Sequence, residues 1–367
     1  MRIRIRPCPL FPLAVVISIS LLALLMLYSI GAGNFYPWCI KQFCRLLLGI
    51  VAIFVASSTP IRFWKEHAYT GYVVCVVMLT CVAMVGKISM GAQRWLDLYF
   101  FNFQPSELMR ISLIIALARY FADLGISSVT RTVSLILPLS MMAVPVFMVL
   151  LQPDLGTATI LFCTFVAILF VCGVQIWKFV VALLGLAGAM PVLWSMLRQY
   201  QRERILVFLN PELDPSGAGY HVIQSQIALG SGGIYGKGLL NGSQCQLNFL
   251  PEKQTDFVFA ALGEELGFIG CTALIVLYAM LMIYNLGVAM RARDRFSQVL
   301  VFGINAMLFL YIFINISMVC GLLPVVGIPL PFFSYGGSAL MVLLFCQGLI
   351  FAVDTEHKMR SGLKRSR

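Results

Sequence analysis

Residues 250–270 read LPEKQTDFVFAALGEELGFIG, and this stretch decides how the chain is expected to fold. It opens with two acids and a base, Glu252, Asp256 and Lys253, and then enters an apolar run that reaches about residue 286. A carboxylate drawn to the centre of a bilayer costs about 2.5–3.5 kcal/mol on insertion scales. An acid at the start of a membrane span therefore usually faces a polar cavity, and we expect Asp256 to do so.

The composition of the whole chain is that of a polytopic membrane protein. Of its 367 residues, 60% are hydrophobic and 11% are charged, whereas soluble domains carry about 25% charged residues. Because no polar block is long enough for a soluble domain, residues 1–367 are predicted to form a single transmembrane domain. The net charge of +11 is explained by basic cytoplasmic loops, so no nucleic-acid partner is expected.

The hydrophobic pattern predicts an all-α fold of about ten transmembrane helices. A span needs about 20 apolar residues, and ten segments come close to that length or exceed it. They lie at residues 11–30, 42–57, 68–86, 107–122, 132–151, 157–174, 179–197, 258–286, 299–319 and 336–353. One long connection, about 198–257, is predicted to form short amphipathic helices at the membrane surface.

The charge pattern predicts the orientation. With the amino terminus inside, sixteen of the 26 Lys and Arg residues fall on the inner side, where loops carry the basic excess. An even number of spans then puts both termini in the cytoplasm. Ten of the 15 acids fall on the outer side, so the polar chemistry is expected there.

The cysteines predict neither a zinc site nor a disulfide framework. There are eleven, most of them within apolar runs, and the sequence contains no C-x-x-C pair and no Cys/His cluster. The Gly-rich run at 230–238, GSGGIYGKG, is not a P-loop, because Ser231 and Gly238 stand where that motif needs Gly and Ser or Thr. It is either a flexible turn against the membrane or a loop whose backbone N–H groups contact phosphate or sugar.

Two motifs precede or open the fourth span. In GAQRWL, residues 91–96, Arg94 and Trp95 either belong to an interfacial belt or bind a phosphate and a sugar. In FQPSELMR, residues 103–110, Pro105 marks a helix start, and Glu107 and Arg110 are spaced to pair. That pair is either a structural ion pair or a polar wall for substrate.

Three further segments carry polar or helix-breaking residues. Asp154 in QPDLGT is explained by the positive end of a helix dipole. Of the adjacent Glu264 and Glu265, one is expected to pair with a base and the other to face the cavity. Residues 324–338 hold three prolines and three glycines, which exclude a continuous helix. Such irregular backbone is predicted to line a cavity.

Taken together, these motifs resemble the SEDS family, the RodA, FtsW and SpoVE proteins. The resemblance covers roughly residues 88–354 and follows the family order, GAQRW, FQPSE, QPDLGT, a long outer loop, LPExxTDFxFA, EELG and SYGGS. Residues 214–225 (DPSGAGYHVIQS) and 323–331 (LPVVGIPLP) resemble the sequence motifs of the RodA-type branch.

The resemblance implies a peptidoglycan glycosyltransferase of the bacterial inner membrane. Such a protein polymerises lipid II onto a glycan linked to undecaprenyl pyrophosphate, at the outer face, during cell elongation. The implied partners are a class B penicillin-binding protein and the elongation proteins MreB, MreC and MreD. The alternatives are a lipid II flippase and a non-catalytic scaffold of the elongation complex.

The resemblance also implies a general base at Asp256. The substrate-binding candidates are Arg45, Arg94, Trp95, Glu107, Arg110, Lys253 and Glu265. A divalent cation, Mg or Mn, is a candidate helper at the pyrophosphate, with no ligands assigned. Arg110 stands where relatives usually have Lys, which keeps the charge but removes a proton donor. Gln254 stands where many relatives have His, so no histidine step is expected at that position.

Overall fold

The computed structural model describes residues 9–85, 87–89, 92–97, 102–125, 129–196, 199–210, 214, 217–247, 249–250 and 252–365. The first half of the chain forms α1 (Leu10–Ile30), α2 (Trp38–Ser58), α3 (Ile61–Glu66), α4 (Ala68–Val85), β1 (Lys87–Ser89), β2 (Ala92–Asp97), β3 (Asn102–Phe103), α5 (Pro105–Asp123), α6 (Ile136–Leu151) and α7 (Leu155–Val171). The second half forms α8 (Ile176–Met196), α9 (Gln199–Leu209), α10 (Ala218–Gly232), α11 (Ser243–Gln246), α12 (Val258–Arg291), α13 (Arg295–Val319) and α14 (Ser338–Arg365).

The polytopic helical fold is confirmed. In the described part of the chain, α1, α2, α4–α8 and α12–α14 each overlap one of the ten predicted spans. Six helices are long and apolar enough to cross a membrane, and three more are shorter apolar helices. The tenth, α5, falls outside both groups because charged residues interrupt it, among them Glu107, Arg110 and Arg119.

The connection between α4 and α5 adds a small antiparallel sheet to the predicted helical fold. Strand β2 pairs with β1 on one side and β3 on the other, with Trp95 opposite Lys87 and Leu96 opposite Phe103. A connection of this kind must reverse direction at the membrane boundary. Strand pairing satisfies the backbone N–H and C=O groups that it would otherwise leave open.

Two predicted helix starts are confirmed. Pro105 occupies the first turn of α5, where its missing N–H costs no hydrogen bond. The Asp154 side chain caps α7 by accepting a hydrogen bond from the Thr157 N–H at 3.1 Å. The sequence rule that places acids at helix amino termini therefore explains Asp154.

Helix α12 is broken at Gly267, which has φ 65° and ψ −161°. The N–H of Phe268 donates to the Gly233 carbonyl at 2.9 Å, and that of Ile269 to the Ile234 carbonyl at 3.2 Å. The Gly-rich loop therefore supplies the backbone partners that the helix loses at the break.

The Gly-rich loop is fixed by backbone hydrogen bonds, two of them to α12. The N–H groups of Lys237 and Gly238 donate to the carbonyls of Glu264 and Glu265, both at 3.0 Å, and Gly236 N–H donates to the Gly232 carbonyl at 2.8 Å. The loop is fixed against α12. These three donors are used within the protein, so they do not form a phosphate cradle.

The bundle is built around α14, and its two ends carry different connections. Of the membrane-length part of α14, 89% is buried inside the protein, chiefly against α2. By contrast, nearly all described side chains of α8 are exposed. We call the end that holds Asp256 the aspartate end. At the opposite end, Arg119 donates to the Glu66 carbonyl and Arg295 to the Cys172 carbonyl.

Candidate active site

Asp256 lies in a tight turn immediately before α12. The turn is closed at Glu252, whose backbone carbonyl accepts hydrogen bonds from the N–H of Thr255 at 3.0 Å and from its hydroxyl at 3.1 Å. Glu252 itself has a φ of 48°, a left-handed value that non-glycine residues seldom adopt. The turn directs the chain into α12, with Phe257 as the capping residue.

The turn is held from behind by the connection between α13 and α14. Asn315 of α13 donates from Nδ2 to the backbone carbonyl of Asp256 at 2.9 Å and to that of Ile328 at 2.7 Å. The N–H of Tyr335 donates to the Gln254 carbonyl at 2.8 Å. The predicted irregular backbone is therefore present, and it fixes the main chain of the turn.

A close approach between Asp256 and Gly327 completes the packing of this turn. A β-carbon placed on Gly327 would lie 3.4 Å from Asp256 Oδ2, and Gly327 has a φ of 70°. Both the left-handed backbone and the contact with the carboxylate favour glycine here. The connection thus presents bare backbone to the carboxylate.

The electrostatic surroundings of Asp256 suit a proton acceptor. The residue is half-buried. Burial, reinforced by the negative charge of Glu252, raises the pKa of Asp256 from 3.8 to about 6, while Arg204 acts in the opposite direction. At neutral pH the carboxylate is ionised but more basic than an ordinary aspartate, as a general base requires.

Arg45, one of the predicted cations, contacts the connection that supports Asp256. Its guanidinium lies over the Tyr335 ring, 4.6 Å from the centroid, and 3.6 Å from a β-carbon placed on Gly337. Among the described residues, its buried Nη1 has no hydrogen-bond partner. Arg45 therefore has a donor that is not used by the described residues, beside the connection that supports Asp256.

Lys253 is directed into the protein. It is buried, and its Nζ donates to the Cys245 carbonyl. Burial lowers the pKa of Lys253. The arrangement ties the Asp256 turn to α11, so the structure favours a supporting role for Lys253 over direct contact with substrate.

Glu107 and Arg110 are both buried and act on each other electrostatically, without a direct hydrogen bond between them among the described side chains. Arg110 donates from Nη2 to the Thr157 hydroxyl at 2.6 Å and lies over the Tyr311 ring at 5.2 Å. The Thr157 hydroxyl donates in turn to Asp154 Oδ2 at 2.8 Å. Arg110 is thus linked to the capping aspartate of α7 through a hydroxyl.

Glu264 and Glu265 are both fully buried. Glu264 Oε1 accepts hydrogen bonds from Lys237 Nζ at 2.7 Å and from the Ser243 hydroxyl at 3.0 Å. Glu265 Oε1 accepts from the Ser29 hydroxyl at 2.6 Å. One acid does pair with a base, but Glu265 faces α1 and not an open site, so in this arrangement no substrate reaches it.

The β2 candidates are only partly described. Trp95 is half-buried on β2, opposite Lys87. Arg94 lies on the same strand, and its side chain is outside the described part of the structure. Their predicted contacts with phosphate and sugar remain predictions.

Two residues near Asp256 were not among the sequence candidates. Arg204 on α9 is the cation that acts electrostatically on Asp256. His221 on α10 contacts the Phe257 ring, with centroids 6.2 Å apart. Both lie in the long connection, more than thirty positions from Asp256 in the sequence. No local motif therefore indicated that they lie near the Asp256 turn. The one available signal was that His221 is one of only three histidines.

Comparisons with known proteins agree with this fold and site. A family model for FTSW_RODA_SPOVE, described as "Cell cycle protein", matches residues 5–359. The chain is 41% identical to the peptidoglycan glycosyltransferase MrdB of Escherichia coli K12, over 95% of this chain and 94% of that protein. It is 34% identical to stage V sporulation protein E of Bacillus subtilis, over 93% and 96%.

Solved structures agree as well. A chain from a peptidoglycan synthase complex, described as coordinating polymerization and crosslinking, matches with a TM-score of 0.83 and 29% identity, over 95% of this chain and 98% of that one. RodA of Thermus thermophilus matches with a TM-score of 0.72 and 27% identity, over 96% and 97%. The fold and site are those of a multi-pass membrane enzyme with a carboxylate at one end of the bundle. The chain belongs to the FtsW/RodA/SpoVE family, also called SEDS.

Proposed function

We propose that Asp256 is the general base of a peptidoglycan glycosyltransferase that polymerises lipid II. Relatives carry that enzyme name, at 41% identity for MrdB and 38% for a probable FtsW of Geobacter sulfurreducens. This chain is an enzyme of the same class and acts in cell elongation. The observation that carries the role of Asp256 is a half-buried carboxylate of raised pKa, fixed by its main chain.

The reaction joins an acceptor hydroxyl to the anomeric carbon of a donor. The donor is the glycan on undecaprenyl pyrophosphate, and the acceptor is the 4-hydroxyl of lipid II. As the new C–O bond forms, the C–O bond to pyrophosphate breaks, and the hydroxyl proton moves to an Asp256 carboxylate oxygen. An α-linked donor gives a β-1,4 product by a single inverting displacement, so no covalent enzyme intermediate is required.

The leaving pyrophosphate needs positive charge at the moment it departs. Arg45 carries a buried Nη1 without a hydrogen-bond partner among the described residues, and Arg204 acts electrostatically on Asp256. We assign these two cations to the pyrophosphate groups. Arg110 and Glu107 form a buried polar wall behind them, and Arg94 and Trp95 remain candidates from β2.

A divalent cation, Mg or Mn, is proposed as a helper at the leaving pyrophosphate, because substrate phosphates commonly supply ligands to Mg²⁺. Among the described residues no group of three or more His, Cys, Asp or Glu side chains could hold a metal, so no protein ligands are assigned. A cation bound to the pyrophosphate would neutralise part of its charge. Removing divalent cations with EDTA should lower strand synthesis, and added Mg²⁺ or Mn²⁺ should restore it. Unchanged synthesis after chelation would overturn this assignment.

The protein partners and the orientation of the chain in the membrane are proposed on the basis of the same enzymatic function. A related chain belongs to a peptidoglycan synthase complex, and we propose a class B penicillin-binding protein as the crosslinking partner here. RodA-type members of the family act with MreB, MreC and MreD. The aspartate end faces outward across the bacterial inner membrane, with both termini in the cytoplasm, because the basic residues concentrate at the opposite end.

The test is strand synthesis from labelled lipid II by the purified chain with its class B partner, whose transpeptidase site is inactivated. Wild type should make strands, and folded Asp256→Asn should make none above background. Equal synthesis by both would remove Asp256 from the role of base. If neither makes strands although the complex is folded, translocation of lipid II across vesicles tests the flippase alternative, and partner recruitment tests the scaffold.

A further inference from the structure

His221 has no role in the reaction described above. Its ring meets the Phe257 ring edge to face, with centroids 6.2 Å apart and planes at 62°. Phe257 directly follows Asp256 in the chain. Glu252, in the same turn, acts electrostatically on both His221 and Asp256. The imidazole, which comes from α10, therefore belongs to the surroundings of the Asp256 turn.

Helix α10 is fixed relative to Asp256. The Ser225 hydroxyl donates to the Val319 carbonyl at 2.9 Å, and Gln226 Nε2 donates to the Cys320 carbonyl at 3.1 Å. Both acceptors lie at the end of α13, the helix whose Asn315 holds the Asp256 main chain. The imidazole and the carboxylate are thus anchored to the same element.

The two ring nitrogens of His221 have different surroundings. Nδ1 is sealed from solvent and has no hydrogen-bond partner among the described residues. Nε2 is not sealed, because His221 is only half-buried. A proton on Nδ1 would be a buried donor without an acceptor, which costs free energy. The ring is therefore neutral with its proton on Nε2, and it presents an N–H donor to the open side.

The charges around His221 decide what that donor can bind. The ionisable groups that act on it are Asp214, which precedes α10, and Glu252, in the Asp256 turn. Both are carboxylates, and with Asp256 they make this side of the site negative. A diphosphate would be repelled here, whereas a neutral hydroxyl or amide oxygen would not.

We propose that His221 binds the sugar of a lipid-linked substrate by donating a hydrogen bond from Nε2 to a neutral sugar oxygen. This inference rests on the proposed function and adds a specificity residue to it. The interaction orients the sugar next to the carboxylate that takes the acceptor proton. It explains why an imidazole with one sealed nitrogen packs against the Asp256 turn.

Two substitutions distinguish the ring nitrogens. In His221→Gln the amide nitrogen reaches about as far as Nε2, and in His221→Asn only about as far as Nδ1. Loss of one neutral hydrogen bond corresponds to about a 3–10-fold effect. We expect His221→Asn to raise KM for lipid II by that factor, with kcat and melting temperature little changed. His221→Gln should keep KM close to the wild-type value.

Controls separate this role from a structural one. His67→Asn, at the opposite end of the bundle, should leave KM unchanged. Equal loss with Gln and Asn, accompanied by a lower melting temperature, would mean that the ring only packs against Phe257. Better function with Asn than with Gln would assign the role to Nδ1. Either result overturns the proposal.

Product inhibition distinguishes sugar from diphosphate. Undecaprenyl pyrophosphate carries the diphosphate without the sugar, so its inhibition constant should be the same in wild type and His221→Asn. If undecaprenyl pyrophosphate inhibits His221→Asn more weakly than wild type, His221 contacts the diphosphate, and the sugar assignment is overturned. If wild type binds lipid II but makes no strands, the proposed function fails, and Kd values for lipid II still decide whether His221 contacts the sugar.

Discussion

Asn315 Nδ2 lies 2.9 Å from the backbone carbonyl oxygen of Asp256, and the same nitrogen lies 2.7 Å from the Ile328 carbonyl oxygen. One fully buried amide thus joins α13, the turn before α12 and the irregular connection to α14. The proposed base is held through its main chain, so the contact that positions Asp256 leaves its carboxylate available. Such support from neighbouring groups is what keeps a catalytic group within reach of its substrate.

Replacing Asn315 by alanine should therefore displace Asp256. The substitution leaves two buried carbonyls without donors and should cost about 2–4 kcal/mol of stability. Strand synthesis per folded molecule should fall by at least tenfold. The matched control is Asn285→Ala, which breaks a buried amide pair with Gln347 on other helices. That variant should lose stability but keep its activity per folded molecule, and equal activity losses in the two would argue against positioning by Asn315.

Replacing Asp256 by asparagine should abolish synthesis without unfolding the protein. Loss of a general base lowers rates by about 10²–10⁴. Because the pKa of Asp256 is raised from 3.8 to about 6 in the folded protein, its ionised form destabilises the fold at neutral pH. The stability it contributes when protonated is complete below pH 3.8 and is lost as the pH rises through 6.

Asp256→Asn should consequently melt at a higher temperature than wild type at pH 7.5, with an upper limit of about 3 kcal/mol for two pKa units. The difference should shrink towards pH 4, where the wild-type carboxyl is protonated. Melting curves in detergent at both pH values measure this. A mutant that is less stable at pH 7.5 would contradict the assigned pKa.

The pH dependence of kcat/KM should follow the same carboxylate. Activity should rise with pH and level off above a midpoint of about 6, because only ionised Asp256 accepts the proton. Glu252→Gln removes a neighbouring negative charge and should move the midpoint to lower pH. Glu66→Gln, at the opposite end, should leave the midpoint in place. If the midpoint is the same in wild type and Glu252→Gln, the titration belongs to another group.

Gly267 should tolerate no side chain. Its φ of 65° and ψ of −161° belong to glycine, and a β-carbon would clash with the Gly236 nitrogen and the Ile234 carbonyl oxygen. Gly267→Ala should cost about 3 kcal/mol or more. Gly188→Ala on α8, with nothing within 4 Å of the added carbon, should be neutral or slightly stabilising. Thermal melting of the two purified variants compares them directly.

Much of the fold could be predicted because it depends on local sequence. The ten spans follow from the length of the apolar segments, and Pro105 and Asp154 mark helix starts by rules that concern one turn of chain. The acid before α12 stood out because charge is rare in this protein. The sheet at 87–103 was missed because a reversing connection satisfies its backbone by pairing across a gap in sequence.

The partners of the buried polar groups could not be predicted. Arg110 was expected to pair with Glu107, three residues away, yet it bonds to Thr157 of α7. Glu265 was expected in the cavity, yet Ser29 of α1 occupies its carboxylate. In each case the sequence allowed two or more polar partners, and the packing of distant helices determined which of them forms the hydrogen bond.

The sequence by itself determined the membrane fold, the family and the residue proposed as the base, because hydropathy and motif order are properties of contiguous residues. Only the tertiary structure decided which charged groups act on Asp256 and which polar groups hold its turn in place. A buried polar group must find a partner within about 3 Å. Helix packing sets that distance, and it brought Asn315, Arg204 and His221 to the Asp256 turn from separate parts of the chain.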